Sequence, residues 1–120
     1  MMQVHDCLAI AANAVSGSVG KASTAIVHDS PDVRVVVFRL NSDDAVAMHT
    51  STSTVVLSVI SGTGVISGPM DGEIRDVTVS VGTVVTYEPN ELHGMRAPTG
   101  PFVVLGAITP RPGRRTSVAA

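Results

Sequence analysis

Few side chains in this 120-residue chain are suited to chemistry: the four imidazoles of His5, His28, His49 and His93, the single thiol of Cys7, and carboxylates scattered along the sequence. Imidazole serves as metal ligand, proton carrier or hydrogen-bonding point. No nucleophile elbow, phosphate-binding glycine loop, Cys-x-x-Cys pair or zinc-protease helix is present, so most hydrolase and nucleotide-binding classes have no support. His93 follows the turn residues Glu88, Pro89 and Asn90 and opens a strand, and Met95 falls two residues further on the same strand face. The flexible thioether of Met95 moulds to a ligand or simply fills core space. His5 and His28 read as surface residues. One cysteine rules out an internal disulfide framework and suits a reducing compartment.

The elements that must position these groups are strands. Valine dominates the apolar residues and the only aromatics are Phe38, Tyr87 and Phe102, a composition that favours pleated sheet over helix. Leu8, Ile10, Ala11, Ala14 and Val15 recur at helical spacing behind Asp6, so a short helix with Asp6 as N-cap is expected within 6–15. Residues 16–23 form a Gly/Ser-rich connector. Strands are then expected at 24–28, 33–40, 45–50, 54–61, 65–67, 77–81, 83–87, 92–97 and 102–108, each bounded by turn residues. The segment 33–40 is apolar on both faces apart from Arg34 and Arg39, as in a strand covered on both sides. Gly62 and Gly64 permit the positive φ of a tight connection, read as a hairpin, and Asp71-Gly72 favours a type I′ hairpin turn. The alternation of Val77, Val79 and Val81 with Thr78 and Ser80 predicts a sheet with one wet face. Many short, closely spaced strands imply an all-β sandwich or barrel.

A chain this long closes one core, and 44 % hydrophobic against 15 % charged residues drives collapse. The expected organisation is an N-terminal extension over 1–23, a barrel over 24–109 and a flexible tail over 110–120. The formal net charge is −2 and Lys and Arg are dispersed until Arg111, Arg114 and Arg115, so no field for nucleic acid is expected, and those arginines read as a solvated terminus. No apolar run approaches the length that crosses a bilayer, and no charged leader precedes the apolar patch near the start, so neither membrane nor signal peptide is expected and the cytoplasm is the expected location. Val-rich edge strands need covering, which points to a homodimer.

Between Asp43 and Ala97 the sequence resembles the paired motifs of the cupin superfamily, small jelly-roll barrels. His49 stands at the first histidine of the first motif, Ser51 at the second, Val55 at the glutamate and Gly62 at the closing glycine, while Asp43 replaces the opening glycine. In the second motif Gly82 stands at the glycine, Glu88 at the proline with Pro89 beside it, Asn90 at the next glycine and His93 at the histidine; Ala97 replaces the asparagine. The spacing is kept and half of the ligand chemistry is not. The resemblance implies a double-stranded β-barrel after a short N-terminal helix or extension. It also implies that His49 and His93 face each other across the barrel mouth, where two neutral imidazoles ligate a divalent ion such as zinc, iron, nickel, copper or manganese. Ser51 and Val55 are poor replacements for the missing ligands, unless Glu88, Glu91, His28 or a bound molecule supplies the donors.

Two functions follow from this reading. The first is a metal-independent barrel that binds a small molecule as sensor, carrier or accessory protein, its pocket lined by His49, Ser51, Val55, His93, Met95, Phe38 and Phe102. The alternative is a metal-dependent dioxygenase, isomerase or lyase with His49 and His93 as ligands. A third is an oligomerising module in which the apolar strands matter more than the cavity.

Overall fold

The structure, a computed structural model, describes residues 1–112; Arg114, Arg115 and the rest of 113–120, within the expected tail, lie outside the described residues. A short helix α1 (Cys7–Ala12) precedes nine strands: β1 (Ser23–Asp29), β2 (Arg34–Leu40), β3 (Ala45–His49), β4 (Thr54–Ser61), β5 (Thr63–Met70), β6 (Glu73–Ser80), β7 (Val84–Tyr87), β8 (His93–Arg96) and β9 (Phe102–Thr109). They form two antiparallel sheets, ordered β1-β2-β9-β4-β7 and β3-β8-β5-β6. The main core fills the space between them with Leu40, Leu57, Val59, Ile66, Met95, Phe102 and Val104.

Alternation sorts β2 and β9 into two faces. Leu40, Phe102 and Val104 point into the main core, while Val37 and Val103 point outward beneath Ala11 of α1, so the doubly apolar β2 is covered on both sides. The Asp6 carboxylate accepts from Ala9 N at 3.1 Å and starts α1. Its other end is held by Arg39, whose guanidinium donates to the carbonyls of Ala11 at 2.6 Å and Ala12 at 3.1 Å. Arg39 of β2 thus satisfies carbonyls that a helix C-terminus leaves open. The helix stops three residues short of the expected Val15, because Asn13 caps it with its amide on Ala9 O.

Two local expectations change. Gly62, with φ of 75°, does not close a hairpin: Ser61 pairs with Val103 in one sheet and Thr63 with Ser80 in the other, so this residue is the corner where the chain passes between sheets. A Cβ there would collide with the carbonyl oxygen of Pro101. Strand β6 does not have one wet face; seven of its eight residues are exposed and only Val79 is buried, because β6 is an edge strand overhanging the core. Its hairpin with β5 does have the expected turn, with φ of 54° at Asp71 and 80° at Gly72. Tyr87 ties the sheets together by donating its hydroxyl from β7 to the carbonyl of Ser67 on β5 at 2.8 Å.

Candidate ligand-binding site

His49 and His93 meet, but not across the barrel mouth. They are paired neighbours in one sheet, at the end of β3 and the start of β8, with ring centroids 4.2 Å apart and planes inclined by 56°. A bulge makes this arrangement: between Val46 and His49 the strand carries one residue more than its partner segment, so both side chains reach the inner face although three positions separate them. Each imidazole is oriented by its own strand. Nδ1 of His49 lies 2.9 Å from the Ala47 carbonyl, and Nδ1 of His93 lies 2.9 Å from the Glu91 carbonyl. A carbonyl only accepts, so in both rings the proton belongs on Nδ1 and the lone pair of the neutral ring on Nε2.

The two differ in surroundings. His49 is exposed at the rim, whereas His93 is buried, with the Tyr87 ring 4.8 Å away. Burial pushes the His93 pKa below the ordinary histidine value; the Glu91 carbonyl works against that shift and the neighbouring His49 adds to it. Tyr87, which was not among the expected site residues, is pushed up to about 12 by burial, with the Glu91 charge adding to the effect.

Both histidines border a cavity of about 450 Å³ between the two sheets. Of the expected residues, Ser51, Val55, Met95 and Phe38 also line it. Phe102 does not: it is fully buried in the main core, its ring against the backbone of Gly64, where a Cβ would stand 2.6 Å from the ring Cγ. The cavity is completed by Val46, Leu57 and Ile108 on its walls, by Gly94, and by Thr50, Thr52 and Pro112, none of which the sequence reading named. Leu57 lies two residues from Val55 and was accessible to alternation. Val46 opposite Met95 and Ile108 opposite Val55 required the strand pairing.

The donors do not complete a metal site. Ser51 uses its Oγ to accept from Ser53 N at 3.1 Å, and Val55 is a buried hydrocarbon between Tyr87 and Ile108 on the neighbouring strands. Glu91 accepts from Glu88 N at 2.7 Å within the turn, and Glu88, Glu91 and His28 are all absent from the cavity lining. Among the described residues no group of three His, Cys, Asp or Glu side chains is placed to hold a metal ion. Two imidazoles are too few for a resident ion in the usual three- or four-ligand geometry.

What the motif positions preserve is backbone conformation. Asp43, Gly62, Gly82 and Asn90, all at positions where the motifs call for glycine, have φ of 69°, 75°, 96° and 69°. Asp and Asn are the non-glycine residues that tolerate the left-handed region best. The two motifs are also joined directly, by Asn90 N donating to Ser51 O at 2.7 Å and by Asp43 N donating to Ala97 O at 2.7 Å.

No family model matches the sequence, and no curated protein matches it. Solved structures do. An RmlC-like cupin from Desulfovibrio desulfuricans is 25% identical with a TM-score of 0.74, over 92% of this chain and 98% of that one. A conserved protein with a double-stranded β-helix domain from Klebsiella pneumoniae is 19% identical with a TM-score of 0.75, over 92% of each chain. The Bacillus subtilis oxalate decarboxylase, as a deletion mutant, is 13% identical with a TM-score of 0.71, over 83% of this chain and 28% of that one. Two facing antiparallel sheets with this site between them are the double-stranded β-helix of the cupins. The chain has the fold of the small cupin barrels, with a short helix ahead of the two sheets.

Proposed function

We propose that this protein binds a small molecule in the cavity between its sheets and does so without a resident metal. The observation that carries this reading is the composition of the cavity: apolar walls, two adjacent imidazoles at one side, and hydrocarbon or hydroxyl where further metal ligands would be needed. Such a barrel acts as a sensor, carrier or accessory protein, with the histidines orienting the bound molecule. Elemental analysis of protein incubated with zinc, iron, nickel, copper or manganese and then desalted tests it. Metal far below one ion per chain is expected, and stoichiometric metal would overturn the reading.

A metal-dependent enzyme is the second reading, favoured by two Nε2 lone pairs on rings 4.2 Å apart beside the cavity and by the likeness in fold to an oxalate decarboxylase. It requires that His49→Ala and His93→Ala each lower metal content and activity. Unchanged values in both variants would end it.

A further inference from the structure

The cavity has a property that narrows the class of molecule it takes. Among the described residues none that lines the cavity is Lys, Arg, Asp or Glu, so the described wall offers no fixed charge to compensate an ionic ligand stripped of its water. The polar side chains of the lining are the hydroxyls of Thr50, Ser51 and Thr52, which donate or accept, and the two imidazoles, each of which has already committed its Nδ1 proton to a backbone carbonyl, of Ala47 and of Glu91. Their Nε2 atoms are therefore acceptors. Two acceptors side by side cannot satisfy one another, and the apolar part of the wall is formed by Phe38, Val46, Val55, Leu57, Met95 and Ile108. Burial reinforces this at His93 by disfavouring the charged imidazolium.

We propose that the ligand is an uncharged, largely apolar molecule carrying a hydroxyl group, an alcohol or a phenol, which donates to Nε2 of His49 or His93 while its body lies against the aliphatic wall. This rests on the reading of the barrel as a metal-free binder and adds the polarity of the ligand: a hydrogen-bond donor, not a carboxylate or phosphate. A carboxylate presents only acceptors to these lone pairs and finds no cation among the described residues of the lining. An ether of the same size fills the apolar space but donates nothing.

Three probes that share one ring system separate the cases: 2-naphthol, 2-methoxynaphthalene and 2-naphthoate, each titrated at neutral pH by calorimetry, with amide NMR shifts of cavity residues as the second readout. The naphthol is expected to bind roughly tenfold more tightly than either of the others, the size of effect that one neutral hydrogen bond in a desolvated site supports. His49→Ala, at an exposed position, and His93→Phe, which keeps the ring volume, are expected to bring the naphthol toward the affinity of the ether and to leave the ether nearly unchanged. Equal affinity for naphthol and ether, or tighter binding of the naphthoate, with shifts in the cavity overturns the hydroxyl inference and leaves the cavity as a binding site. Absence of cavity shifts with all three probes overturns the inference and the small-molecule reading together.

Discussion

His93 joins stability to site chemistry in one side chain. In the unfolded chain its imidazole takes up a proton near the ordinary value of 6.5, whereas in the fold burial holds that value lower. Between the two, the unfolded state binds more protons, so the contribution of His93 to stability is complete above 6.5 and falls as the pH drops through the interval beneath it. Urea unfolding followed from about pH 7.5 to about pH 4.5 measures this, with His93→Phe as reference for the carboxylates, which titrate in both proteins. The wild-type midpoint is expected to fall more steeply with acid than that of the variant. Parallel curves would mean that His93 is protonated as readily in the fold as outside it.

Among the elements, the turns carry the information that the side chains have lost. Asn90 holds φ of 69° and donates its N–H to Ser51, so the second motif's turn is pinned to the segment that follows His49. Asn90→Gly is expected to be close to neutral and Asn90→Ala to cost about 1 kcal/mol, since only the alanine meets the left-handed penalty without a side chain that relieves it. Equal midpoints for the two variants in thermal unfolding would contradict that account. The strands were legible because valine alternation and turn residues are local signals, and that His49 and His93 meet was legible because motif spacing survives where ligands do not, whereas their pairing within one sheet was not. Gly62 misled because a left-handed glycine announces a tight connection without saying which sheet the next strand joins. The exposure of β6 was hidden for the same reason: alternation at Val77, Val79 and Val81 describes a strand, not its place at an edge. Phe102 was expected in the cavity lining, whereas its ring is fully buried in the main core against Gly64, which has no side chain to exclude it.

For the molecule as a whole, the cavity lies between two sheets that are also bonded to each other. Tyr87 is one fastening, donating across the gap to Ser67 while Gly68 leaves room for its ring, with a Cβ there only 2.5 Å from Cε1. Its hydroxyl ionises at about 12 in the fold against 10.0 in the open chain, so this fastening is complete below 10.0 and is lost as the pH rises toward 12. Tyr87→Phe is expected to lower stability at neutral pH by roughly 1 kcal/mol and to flatten the alkaline limb of unfolding; a variant as pH-sensitive as the wild type would place that sensitivity elsewhere. The central claim is that the barrel presents two imidazole lone pairs to a metal-free cavity. It is tested most directly by ¹⁵N NMR of the imidazole nitrogens at neutral pH, which reports which nitrogen of each ring carries the proton. The account predicts the Nδ1–H form in both His49 and His93, with Nε2 of at least one ring shifting when 2-naphthol is added. Protons on Nε2 in either ring, with Nδ1 unprotonated, would contradict it.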